Sequence, residues 1–198
     1  MGRRILRSLK GICNAKRAVD PQVLQEILIL GIEIAREGRE GAKIGALFVI
    51  GDEKSVLEKT QPLILDPLWF HPASKKHIED PDLRETVKEL AQLDGAFIVS
   101  NQGIVISGCR YINASSSGVR LTLGFGSRHM AAASITHETK AVAVVVSKSG
   151  VVRVFDNGRL VGEIIPEQPH GRKGVPSLGQ IGVHQGEQFR VVSKEDTP

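Results

Sequence analysis

The chain has 198 residues, 41% hydrophobic and 24% charged, enough for one well-buried core of ordinary globular composition plus at most a small appendage. Aromatic residues make up only 4%, which argues against a stacking platform for single-stranded nucleic acid. The net charge is +4, yet residues 1–19 alone hold six cations (Arg3, Arg4, Arg7, Lys10, Lys16 and Arg17) and no acid, leaving a slightly acidic body. That basic N-terminal arm reads as a solvated helix or frayed tail, or else as a docking helix or a contact for nucleic acid or anionic lipid. Cys13 and Cys109 match no metal spacing and suit a reducing cytoplasm better than a disulfide framework. No apolar run reaches membrane-spanning length, and no hydrophobic stretch follows the basic start as a secretory signal would require.

Asp20-Pro21 opens the first predicted helix: the carboxylate can accept from an early helix N–H, and proline tolerates the first turn. Val23, Leu24, Ile27, Leu28 and Ile34 recur at helical spacing until Gly38 and Gly41 end the run. Residues 43–50 read as a buried strand, 55–57 as one or two helical turns, and 63–65 as a second short strand closed by Asp66-Pro67. The stretch 69–80, with His71 and His77, reads as loop. Asp80-Pro81 repeats the helix-start signal before the apolar stripe of Leu83, Val87, Leu90, Ala91 and Leu93. Residues 96–99, the turn Asn101-Gln102-Gly103 and residues 104–107 form a strand-turn-strand, followed by a Ser- and Gly-rich loop over 112–123. An Ala-rich helix over 127–137 leads to strands over 141–146, 151–155 and 159–165, turned at Ser149-Gly150 and Asp156-Asn157-Gly158. From Pro166 to Pro198 the chain is rich in Gly, Pro and Gln, with weak strand patterns at 179–183 and 188–192. This order predicts one α/β domain, a central mixed β-sheet flanked by helices.

Two short motifs carry the chemistry. Asp94-Gly95-Ala96 puts a carboxylate where a helix gives way to a strand: either a turn-forming Asp-Gly pair, or an oxygen ligand for a hard cation beside a glycine that a ligand can approach closely. Gly126-Ser127-Arg128-His129 starts a helix. Glycine backbone N–H groups, a hydroxyl and a guanidinium there suit phosphate oxygens, and the plainer alternative is Ser127 as an N-cap with Arg128 exposed. His129 and His137 are eight residues apart on one helix. They form a metal pair, or one is partly buried and the other on the surface; no third ligand accompanies them. Neither a P-loop, a dinucleotide fingerprint nor a Gly-x-Ser-x-Gly elbow is present.

These motifs, with the segment through Gly108-Cys109, the strand ending Val145-Val146-Ser147, and the upstream stretches 34–41 and 45–52, resemble the diadenylate cyclase family over residues 22–165. The likeness is greatest to its soluble, archaeal-type members. The resemblance implies a homo-oligomer with facing active sites, each holding ATP with Mg2+ or Mn2+, that condenses two ATP into cyclic di-AMP with release of two pyrophosphates. It implies that Asp94 binds the metal and helps activate the 3′-hydroxyl, and that Gly95 and Ala96 shape the pocket. It further implies that Ser127, Arg128 and His129 hold phosphates with backbone access at Gly126. Arg110 and Tyr111, after Gly108, fall at the adenine pocket, and Ser147 falls on the phosphate side. The division expected is a basic arm (1–19), a cyclase domain (20–165) and a tail or small accessory element (166–198), in a cytoplasmic protein. Ser127 stands where the family usually has Thr, Met130 where many members have a second Arg, and Lys148-Ser149 where many carry acids. Met130 and Lys148 support an alternative, a non-catalytic adenine-nucleotide sensor of the same fold. A nucleic-acid module using the basic arm ranks third, against the acidic body and few aromatics.

Overall fold

The structure, a computed structural model, describes residues 9, 11–39, 41–121, 124–166, 182–186 and 189–193. Asp20 opens helix α1 (Pro21–Glu37), its carboxylate accepting from the amides of Gln22 and Val23. Helices α2 (Glu53–Glu58), α3 (Pro81–Leu90) and α4 (Ser127–Glu138) follow, and Asp80 caps α3 as Asp20 caps α1.

The strands are β1 (Ala46–Ile50), β2 (Thr60–Pro62), β3 (Ala96–Val99), β4 (Val105–Ile112), β5 (Val142–Val146), β6 (Val152–Asp156) and β7 (Arg159–Pro166). Beyond them lie β8 (Gly182–Gly186) and β9 (Phe189–Ser193). All belong to one sheet in the order β2-β4-β3-β1-β5-β6-β7-β9-β8. β1 and β3 run parallel and the other pairs antiparallel, so the sheet is mixed, as the sequence predicts.

The central strands are apolar throughout because both faces are covered. Phe48, Ile50, Phe97, Val99, Val144 and Val146 face α1 and α3; Leu47, Val49, Ala96, Ile98, Ala143 and Val145 face α4 and α2. Alternating side chains of one strand thus feed two separate cores. Along β4 the alternation is broken twice. One extra residue lies between the pairs Ala96–Arg110 and Ile98–Ser107, and another between Ile98–Ser107 and Val99–Val105. Cys109, in the first bulge, has φ of 53°.

The observed strands differ from the predicted ones in three places. The second strand is Thr60–Pro62, not 63–65. It pairs with Arg110–Ile112, and Thr60 turns its hydroxyl inward to accept from Arg110, whereas Ile64 and Leu65 are exposed. Apolar residues there serve a surface, and a polar residue serves the strand. The strand after Gly103 continues to Ile112, because β2 gives its second half a partner. In the tail, β9 pairs with residues 162–166 of β7, extending the same sheet beyond Pro166 in a slightly shifted register from the predicted segments. Of the basic arm, residues 1–8 and 10 lie outside the described residues. The rest is no free tail: Leu9 and Ile12 are fully buried, Ile12 packs onto Gly162, and Arg17 pairs with Asp156 in the β6–β7 turn.

Candidate functional site

A cavity of about 620 Å3 opens on the α4 side of the sheet, among β1, β3, β4 and the first turns of α4. Leu47, Ala96, Ile112 and Ala131 give it an apolar lining; Asp94, Arg110, Tyr111, Ser127 and Arg128 add polar groups. The two motifs picked out from the sequence therefore meet at one cavity. Their contact is direct: Nη2 of Arg128 lies 3.2 Å from Oδ1 of Asp94. Asp94 is 93% exposed and Arg128 29%, so the carboxylate projects into solvent and the guanidinium is the better anchored partner. A pair this open contributes little to stability, and both charges are free to be drawn to a ligand.

Gly95 is explained by the chain itself. A β-carbon there would lie 2.5 Å from the carbonyl carbon of Cys109 and 2.7 Å from the amide nitrogen of Arg110, at φ of 105°. The close approach expected of a ligand is made by the bulged backbone of β4. That contact sets Asp94 beside the strand that carries Arg110. Arg110 is buried, donating through Nε to the Thr60 hydroxyl at 2.9 Å and through Nη2 to the Thr60 carbonyl at 3.1 Å. Its guanidinium lies 5.5 Å over Trp69, and Asp66, fixed by Ser107 and the Gly108 amide, is 3.8 Å away. These partners make Arg110 a rigid wall.

Other predicted site residues are not in the cavity lining. Gly126 caps α4 with open space around it, one residue outside. Gly108 faces Phe97 and Leu68. Ser147 spends its hydroxyl on the β5–β6 turn, with Ser149 and Val151. His129 is buried between Phe125 and Phe155, with Arg153 at 3.2 Å. Burial, and secondarily the Arg153 charge, push its pKa down to about 4. His137 packs instead against Gly118 and Gly158, and no cluster of three or more His, Cys, Asp or Glu able to hold a metal exists among the described residues.

Gly45 is a residue the sequence reading missed as a site element. A β-carbon there would stand 3.4 Å from Nη1 of Arg128 and 3.1 Å from the Val146 carbonyl oxygen, so its bareness seats the guanidinium. Leu47, Leu63, Ile112 and Ser134 also line the cavity. Leu47, Leu63 and Ser134 fall in predicted elements, whose periodicity could have flagged them; Ile112 falls in the predicted loop and had no such signal. A larger cavity, about 1090 Å3, lies on the opposite side between α1 and α3. Its lysine and arginine side chains include Lys88 and Arg84, which are engaged by Glu26, Glu33, Glu37 and Glu85. The smaller cavity is therefore the candidate site, since its polar groups converge on open space.

Residues 33–160 match the DAC family, described as DisA bacterial checkpoint controller nucleotide-binding. The chain belongs to the DAC family. The DAC match encloses the whole cavity lining. A diadenylate cyclase of Methanocaldococcus jannaschii is 46% identical over 146 residues, covering 73% of this chain and 46% of that protein. Another, of Haloferax volcanii, is 39% identical over 156 residues, covering 77% and 56%. The chain spans about half the length of the curated DAC relatives it matches. A crystal structure of DacA from Staphylococcus aureus overlaps 70% of this chain and 84% of its own at 23% identity and a TM-score of 0.43. No helix among the described residues is long and apolar enough to cross a membrane.

Proposed function

We propose that the chain is a diadenylate cyclase, joining two ATP into cyclic di-AMP and releasing two pyrophosphates. The observation that carries this reading is the meeting of Asp94 and Arg128, from separate motifs, at the mouth of a part-apolar cavity in a DAC-family chain. The apolar lining suits a purine; Arg128 and the hydroxyl of Ser127 suit phosphate oxygens. Tyr111 and the Arg110 wall would border the base, with Gly95 and Ala96 shaping the pocket floor.

A lone exposed carboxylate fits Mg2+ or Mn2+, which take much of their coordination from water and substrate phosphate, and Asp94 is the residue that would hold it. When bound, such an ion supplies neutralisation of phosphate charge. Arg128, released from Asp94, would turn to the phosphates and stabilise the departing pyrophosphate. Asp94 would also orient the 3′-hydroxyl.

Cyclisation needs two nucleotides head to tail, so we propose a homo-oligomer in which two cavities face each other. Each 3′-hydroxyl attacks the α-phosphate of the opposite ATP. The new O–P bond forms as the bond to pyrophosphate breaks, and the hydroxyl proton is lost to solvent. Leu63, in the cavity lining, continues into the exposed Ile64 and Leu65, an apolar rim suited to meeting a second copy. The two free cysteines suit a reducing cytoplasm.

Met130 favours a second reading. It lines the cavity with a thioether where a cation would serve phosphate, as in a sensor that binds adenine nucleotide without turnover. Incubating the protein with ATP and either Mg2+ or Mn2+, with products resolved by chromatography and mass, separates the two. Cyclic di-AMP and pyrophosphate are expected, falling at least about a hundredfold in Asp94→Asn. ATP binding without pyrophosphate release would replace the cyclase with the sensor.

A further inference from the structure

Among the described residues, the turn before α4 has little to hold it locally. Gly126 caps the helix without a side chain, Gly124 has φ of 101°, and the space around both is open. Between them, Phe125 is the side chain that can anchor the turn, and it is gripped from several sides. Its ring centre lies 4.9 Å from that of His129 and 6.4 Å, edge-on, from that of Phe155. The Arg153 guanidinium lies 5.2 Å over it. Arg153 also reaches Nε2 of His129 at 3.2 Å, and its Nε donates to Glu163 at 2.7 Å. Because an arginine nitrogen only donates, His129 accepts at Nε2 and carries its proton on Nδ1. Arg153 and Glu163 are paired across β6 and β7, so the grip begins on rigid sheet.

We infer that Arg153 is a positioning residue of the nucleotide site, fixing the start of α4 through Phe125 and His129. The inference rests on the reading of the cavity as an ATP site. None of the three residues lines that cavity, whereas Ser127 and Arg128, held between Phe125 and His129 in the chain, do. With glycine on both sides of Phe125, loss of the grip frees the turn, and small displacements of a binding group cost affinity well away from the change.

The test is the affinity of the full chain for ATP with Mg2+, measured by calorimetry at a temperature where each variant is folded by circular dichroism. Arg153→Met and Phe125→Leu are each expected to weaken binding about three- to tenfold, the range of one cation–π contact. The double variant should bind about as well as the weaker single one, since both changes break one linkage. Arg153→Lys, which keeps the cation over the ring, should recover part of the loss. A role in stability alone would lower the melting temperature and leave ATP affinity untouched, and that result overturns the inference. Should Arg153→Met fail to fold, Glu163→Gln loosens the same arginine from its sheet partner, and unchanged affinity there overturns it equally. A wild-type chain that binds no ATP would instead remove the nucleotide site, and the inference with it.

Discussion

Gly95 has no room for a side chain, because the bulged backbone of β4 occupies the place where its β-carbon would be. Gly95→Ala is expected to cost about 1–3 kcal/mol from its left-handed backbone alone, before any clash is counted. Chemical denaturation of the two proteins measures this, and equal midpoints and slopes would contradict it. His129 makes a prediction of a different kind. Its pKa stands near 4 in the folded protein against 6.5 for the free side chain. Between those values the unfolded chain binds the proton and the folded one does not, so stability falls as pH drops from about 6.5 toward 4. The full contribution is on the order of 3 kcal/mol. His129→Gln should flatten this part of the stability profile, and a profile parallel to wild type would show that the buried imidazole is not the group responsible. Asp94, Ser127 and Arg128 were legible in the sequence because their chemistry is local to their motifs. Gly45 was not, since its value lies in a guanidinium from α4 that comes to rest beside it. His129 was legible as a residue of interest and its surroundings were not, because Arg153 and Phe155 arrive from a strand further along the chain.

At the scale of elements, α1 and α3 are laced together by charge as well as by their apolar stripes. Lys88 is nearly buried and reaches Glu33, Glu37 and Glu85, while Arg84 reaches Glu26 and Glu33. Burial by itself would lower the pKa of Lys88; its hydrogen bonds to Glu85 and Glu33 outweigh this and raise it. Lys88→Met would leave three carboxylates facing each other. It is expected to cost about 1–3 kcal/mol, the partners' partial exposure keeping it below a fully buried pair. Thermal melts at low and high salt check this: the deficit should shrink as salt screens the carboxylates. Helices were the most readable elements, since Asp-Pro starts and apolar periodicity are properties of contiguous sequence. Edge strands were the least readable. Thr60-Gln61-Pro62 becomes a strand through what Arg110–Ile112 offers it, and no pattern within three residues can announce that.

At the scale of the whole molecule, the proposed reaction cannot be completed by one copy. Specific activity at saturating ATP should therefore fall on dilution, following the loss of the larger species in light scattering. Activity that stays constant while the protein becomes monomeric would rule out facing cavities. The sheet also tells where the chain has latitude in length. With its two extra residues, β4 still sets Ser107 opposite Ile98 and Arg110 opposite Ala96, on the α4 face, and Val105 opposite Val99, on the α1 face. Removing one of the extra residues would take away a bulge and leave these pairs on the faces they now occupy, since the residues that remain would alternate in step with β3. A single-codon deletion at Gly108 or Cys109 would therefore keep Arg110 opposite Ala96 but withdraw the bulged backbone that stands where a β-carbon of Gly95 would be. For this stretch, the inheritance of spacing is tied to the inheritance of one distant letter: related chains that shed the bulge are expected to be freed from the glycine at position 95.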